Sequence, residues 1–131
     1  MYMDSRTPLT ILLADDNQFF ARAVKRFLEG ILGTTVIGHA RNGIEALSMA
    51  RDLNPALILL DIAMPELDGL EVAREIQRWE QPPLIVFLSL NDNPAYRDAA
   101  RTLGAVAFVN KADFVEKLPP VITRLADPGP V

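Results

Sequence analysis

Four stretches of this chain set reactive side chains at or beside the ends of apolar runs. Thr10–Ala14 runs into Asp15-Asp16, Ala56–Leu60 into Asp61 and Leu84–Leu88 into Ser89, while Val106–Val109 lies just before Lys111. Three carboxylates brought within a few Å of one another do not all ionise cheaply without a cation among them. Hard oxygen ligands with room for water suit Mg²⁺, which takes one or two carboxylates and keeps several waters. A lysine adds a second positive charge, and a serine hydroxyl adds a hydrogen bond to a phosphoryl oxygen. These are the parts needed for phosphoryl transfer to a carboxylate nucleophile, here Asp61. Taken singly, each residue also has a plain structural reading. Asp15-Asp16 can cap the following helix, Asp61 can sit in a turn, Ser89 can satisfy a loop amide, and Lys111 can be a solvated surface lysine. The chemical reading depends on all of them reaching one edge of the molecule.

The elements that carry them decide this. A continuous apolar run such as Ala56–Leu60 reads as a strand buried on both faces of a parallel sheet. Met64-Pro65 stops it, since proline donates nothing to a ladder. Thr35–Ala40 is β-branched and short, a further strand. Helical spacing recurs between the strands. In 17–30 it involves Phe19, Phe20, Ala23, Val24, Phe27, Leu28 and Ile31; in 44–53, Ile44, Leu47, Ala50 and Leu53; after Asp68-Gly69, Leu70, Val72, Ala73 and Ile76. The fourth helix, 94–103, has only Ala99, Ala100 and Leu103 as an apolar face and is expected to be the most weakly held. Pro119-Pro120 predict an irregular turn over 113–117 and a last helix starting near Leu118. His39 and Trp79 read as structural.

Five strand–helix repeats predict an α/β fold: a flavodoxin-like, doubly wound, five-stranded parallel sheet of order 2-1-3-4-5 with five helices and right-handed crossovers. In that order strands one, three, four and five are neighbours, and their carboxyl ends share one crevice. The chain has 131 residues, enough for one domain, expected over 9–126 with a flexible leader, 1–8, and a frayed tail, 127–131. The net charge of −4 argues against direct nucleic-acid binding, which needs surplus Lys and Arg. Cysteine is absent, which excludes thiolate chemistry. No apolar run reaches membrane-spanning length and no signal-peptide core is present, so a cytoplasmic protein is expected.

At these residues the chain resembles the receiver domains of two-component response regulators, over about 9–126. The resemblance implies that Asp15 and Asp16 are the acidic pair, Asp61 in D-x-x-M-P the phosphoacceptor, Ser89 the switch hydroxyl, Lys111 the site lysine and Phe108 the switch aromatic. It implies Mg²⁺ held by Asp16, Asp61 and the Ala63 carbonyl, with Asp15 assisting through water. The implied partners are a histidine kinase or phosphotransfer protein and a downstream protein or effector domain, with a homodimer also compatible. The face of the fourth helix, last strand and last helix would change on phosphorylation. Ala63 and Asn91, each two residues beyond a site residue, would border the route of attacking water and tune phosphate lifetime.

Two positions depart from the family's usual pattern: Leu90 follows Ser89 where a small residue is common, and Ala112 follows Lys111 where proline is common. LSLNDNP and VNKAD resemble receivers usually joined to LuxR-type DNA-binding domains, here without one. No turnover of a separate substrate is expected. The competing reading is a phosphorylation-independent, receiver-like interaction scaffold. A haloacid-dehalogenase-like phosphohydrolase would need an acid/base Asp where Ala63 stands. A flavin carrier would need a Ser/Thr/Gly-rich first loop where DDNQFF stands.

Overall fold

A computed structural model describes residues 8–126; the expected leader, apart from Pro8, and the expected tail lie outside them. The elements alternate as β1 (Leu9–Ala14), α1 (Gln18–Glu29), β2 (Thr34–Ala40), α2 (Gly43–Leu53), β3 (Leu57–Asp61), α3 (Gly69–Ile76), β4 (Leu84–Ser89), α4 (Pro94–Thr102), β5 (Ala107–Asn110) and α5 (Phe114–Ala126). A 3₁₀ turn, Lys111–Asp113, joins β5 to α5. The sheet order is β2-β1-β3-β4-β5, with every neighbouring pair parallel, as the strand–helix repeats predict.

Burial of β3 on both faces explains its unbroken apolar run. Ile58 and Leu60 pack with Ala46 and Ala50 of α2 and with Val72 and Ile76 of α3. Leu57 and Leu59 face the other layer, with Val24 and Leu28 of α1 and Leu118 and Ile122 of α5. Successive strand side chains point to opposite faces, so one run serves both layers. Register then does the positioning. Ala14 lies beside Leu60, so Asp15 comes level with Asp61; Asp61 lies beside Leu88, one residue before Ser89; Ser89 lies beside Asn110, one residue before Lys111.

The helix starts follow their sequences. Asn17, Asn42, Asp68 and Asn93 each accept a backbone N–H three residues on, and Asp68 forms a reciprocal capping box with Glu71. The expected apolar stripe of α1 needs correction at two positions. Phe19 is 83% exposed and Ala23 is exposed too, while Ala21 is buried with Val24 and Leu28. At about 100° per residue Phe19 lies roughly 140° round the helix from Val24, so it cannot share that face. In α4 only Ala100 is fully buried.

The expected start of the last helix near Leu118 is also corrected. α5 is continuous from Phe114, with Pro119 and Pro120 inside it. Packing overrides proline here. Phe114, Leu118 and Ile122 recur at four-residue spacing; the last two are fully buried, and Phe114 meets two aromatic rings edge-on. The carbonyls left without partners belong to Val115 and Glu116, both exposed residues, so water can satisfy them. Pro120 is exposed, so Pro120→Ala restores a helix N–H without disturbing the core. It is expected to stabilise the fold by about 1 kcal/mol, less than the full proline penalty because the helix has already adjusted. Urea unfolding measures this; an unchanged midpoint would mean that the prolines impose no strain.

Candidate functional site

The register brings Asp15, Asp61, Ser89 and Lys111 together, all buried although all are polar or charged. Lys111 is not the solvated surface lysine that its type alone would suggest. Its Nζ stands 2.7 Å from Asp15 Oδ2 and 3.3 Å from Asp61 Oδ2. It also lies 4.7 Å from the centroid of the Phe20 ring. One ammonium thus bridges two carboxylates. Removing the ammonium, the one positive charge of the set, would leave two buried carboxylates uncompensated.

Each carboxylate is further held by its own loop. Asp15 Oδ1 accepts the Asn17 N–H at 2.8 Å, and the Asp15 carbonyl accepts a hydrogen bond from His39 Nε2 at 2.8 Å. His39 is therefore structural, as expected, but it braces the site. Asp61 Oδ1 accepts the Ala63 N–H at 3.3 Å. Asn17, not the acidic pair, caps α1, which leaves Asp16 exposed and free of capping duty. Carboxylate oxygens of Asp15, Asp16 and Asp61 all lie within 4.8 Å of one another.

Burial pushes the Asp61 carboxyl up from 3.8 to about 6; Lys111 opposes this, and Asp15 adds to it. No carboxylate other than Asp61 and Asp15 takes a hydrogen bond or ion pair from Lys111 among the described residues. A crevice beside them is lined by Asp16, Asp61, Ala63, Ser89, Asn91 and Lys111, with Leu90 and Tyr96 at its side. Leu90 is 76% exposed and stands at this crevice rather than filling it.

The Ser89 hydroxyl is engaged locally. It donates to the Asn91 carbonyl at 3.1 Å and accepts the Asn91 N–H at 3.0 Å. A hydroxyl hydrogen rotates freely, so it can turn to an acceptor in the crevice. Phe108 is half-buried on β5, away from the carboxylates, under the guanidinium of Arg97 at 4.7 Å. Arg97 in turn pairs with Asp92 of the loop after Ser89.

The close approach of α3 to the site was not evident from residue types. A methyl group on Gly69 would overlap the Asp61 carbonyl oxygen and lie 2.8 Å from the Ile62 Cα. A glycine at the first position of a helix is unremarkable by composition; only the crossing of two backbones makes it necessary. The placement of Phe20 beneath Lys111 is likewise invisible to helical spacing, which marks it only as part of an apolar stripe.

Comparison with known proteins agrees with this geometry. The family model for the response regulator receiver domain matches residues 11–122. A protein-glutamate methylesterase/protein-glutamine glutaminase of Alkalilimnicola ehrlichii is 41% identical over 106 residues, covering 81% of this chain but only 26% of that protein. Among solved structures, the signal receiver domain of NarL from Mycobacterium tuberculosis superposes with a TM-score of 0.85 at 28% identity, covering 94% of this chain and 99% of that one. The response regulator domain of Thermotoga maritima CheB gives 0.83 at 25% identity, with the same coverage. Among the described residues no helix is long and apolar enough to cross a membrane.

Proposed function

We propose, for a chain that belongs to the response regulator receiver domain family, that Asp61 accepts a phosphoryl group from the phosphohistidine of a histidine kinase or phosphotransfer protein. The carrying observation is the bridged set Asp15–Lys111–Asp61, with Asp16 free at its edge.

The donor set fits Mg²⁺: hard carboxylate oxygens, close together, beside a crevice open to water. Asp16, Asp61 and the Ala63 carbonyl would hold the ion, with Asp15 assisting through water. When bound, it supplies positive charge that offsets repulsion between the Asp61 carboxylate and the phosphoryl oxygens. The chain's own residues do the rest. An Asp61 oxygen attacks phosphorus in line, the O–P bond forming as the P–N bond breaks and the imidazole leaves. The strand end and the Ala63 N–H hold the Asp61 carboxylate in place. Lys111 moves its ammonium from the carboxylate to a phosphoryl oxygen. Ser89 turns its hydroxyl from the Asn91 carbonyl to another.

The phosphoryl group adds charge and strong acceptors at one spot. Movement of the Ser89 loop would draw Phe108 inward and alter the α4–β5–α5 face, where a downstream protein or effector domain binds. α4, with one fully buried residue, is the element least held against such a shift. The chain turns over no separate substrate in this reading; it forms and hydrolyses its own aspartyl phosphate.

The test is incubation with acetyl phosphate and Mg²⁺, followed by intact-mass measurement. Wild type is expected to gain one phosphoryl group, and Asp61→Asn none. A wild type that stays unmodified, or a modification that persists in Asp61→Asn, overturns the assignment. Partner binding that is indifferent to acetyl phosphate would favour the scaffold reading instead.

A further inference from the structure

We propose that Phe20 is a positioning residue for the Lys111 ammonium, a role that rests on the phosphoryl-acceptance reading of the same site. The Lys111 side chain is 7% exposed, and its Nζ meets three things: Asp15 Oδ2, Asp61 Oδ2 and the face of the Phe20 ring. At 4.7 Å from the centroid, the ring lies well within the range over which an aromatic face attracts a cation.

The ring is itself held. Phe20 sits in the first turn of α1, which the Asn17 side chain caps through the Phe20 N–H at 3.0 Å. The Asn17 N–H in turn holds Asp15 Oδ1. Phe114 packs edge-on against Phe20, with centroids 5.3 Å apart and planes at 72°. Phe114 lies three residues after Lys111, so the turn that carries the lysine is tied to the ring that underlies it. On the far side Phe114 meets Phe27 in the same manner at 5.5 Å.

A carboxylate partner fixes an ammonium at one point. An aromatic face has no directed lone pair, so the ammonium can pivot across it. The lysine can therefore leave Asp61 for a phosphoryl oxygen on the same edge without losing the ring. Helical spacing accounts for Phe20 as a packing residue; it does not account for a charge set over its face.

The experiment uses the full chain and two readouts. The first is the side-chain NMR spectrum of Lys111 before any phosphorylation; the second is the rate of phosphorylation by acetyl phosphate with Mg²⁺. In wild type the Lys111 Hε protons are expected upfield, shifted by the ring current of Phe20. Phe20→Leu should abolish that shift and slow phosphorylation about fivefold, mid-range for a partly desolvated cation–aromatic contact. Phe20→Tyr should restore both. Phe20→Met serves in place of the leucine variant if that one does not fold. Phe27→Leu removes an aromatic edge from the same cluster without touching the lysine; it should lower the melting temperature and leave the rate alone. Lys111 Hε protons without an upfield shift in wild type, or a wild-type rate in Phe20→Leu, overturn the proposal, as does equal slowing in Phe27→Leu. If wild type takes up no phosphoryl group, the functional reading fails separately, and the NMR arm still decides whether the ring positions the lysine.

Discussion

Without divalent cations, Asp61→Asn is expected to make the protein more stable at pH 7, by about 2 kcal/mol. Burial raises the Asp61 carboxyl from 3.8 to about 6, against the pull of Lys111 and with the push of Asp15. Between those two values the native state binds more protons than the unfolded chain, so stability falls as pH rises through them. Below about 3.8 both states are protonated there and the penalty is absent; above about 6 both are ionised and it is complete. A rise of that size corresponds to about 3 kcal/mol. Solvent screening at the crevice mouth trims this to about 2 kcal/mol. Asparagine is uncharged, and its single carbonyl oxygen can serve either Lys111 or the Ala63 N–H, which meet different oxygens of the carboxylate. The advantage of Asp61→Asn should therefore shrink to nothing as pH is lowered to about 4, in urea titrations run with a chelator. Adding Mg²⁺ should stabilise wild type and not the variant, closing the gap by mass action. A variant less stable than wild type at pH 7, or one whose advantage over wild type is the same at pH 4 and pH 7, would show that the carboxylate is not under electrostatic load.

The second large effect is expected from the smallest change. Gly69→Ala places a methyl group into the Asp61 carbonyl oxygen and against the Ile62 Cα. Both are backbone, so neither can rotate aside. The Gly69 N–H also donates to the Ile62 carbonyl at 2.8 Å, which clamps α3 to the end of β3. Relief requires α3 or the β3 end to move, and Val72, Ala73 and Ile76 are fully buried against the sheet. A loss of about 3 kcal/mol is expected, the upper end for overpacking a well-filled interior. Acetyl phosphate labelling should fall with it, because any backbone shift displaces Asp61 itself. Urea unfolding and mass measurement on the same samples check both. By contrast Gly30→Ala, where an added methyl finds only the Phe27 carbonyl at 3.5 Å, should be close to neutral. Equal behaviour of the two variants would mean that the α3–β3 approach is looser than it stands here.

These two effects arise at positions that a linear reading treats very differently. Asp61 stood out at once, because a carboxylate closing an unbroken apolar run is chemically conspicuous. Gly69 did not, because its role depends on a backbone more than five residues away in space-filling contact. The same division runs through the rest of the molecule. Strand positions, sheet order and the acid–hydroxyl–lysine set were legible from apolar runs and their polar ends. The period of a strand and that of a helix differ, and parallel connectivity leaves few topologies. The start of α5 was not legible, because Pro119-Pro120 break a helix by local rules that the burial of Leu118 and Ile122 overrides. The exposure of Phe19 has a simpler cause: a stripe of apolar types is broader than the face that is finally buried.

What the chain determined by itself is which chemistry is available. It holds three acids, one hydroxyl and one lysine, each placed at or just beyond a strand end by its neighbours along the chain. Tertiary structure alone decided how they engage. It set Lys111 between Asp15 and Asp61 rather than in solvent, slid Phe20 beneath its ammonium, and pressed Gly69 onto the Asp61 carbonyl. Local sequence controls dihedral preference and burial tendency, which act over a few residues. The separation between an ammonium and two carboxylates is instead a product of sheet register and helix packing, to which every element contributes.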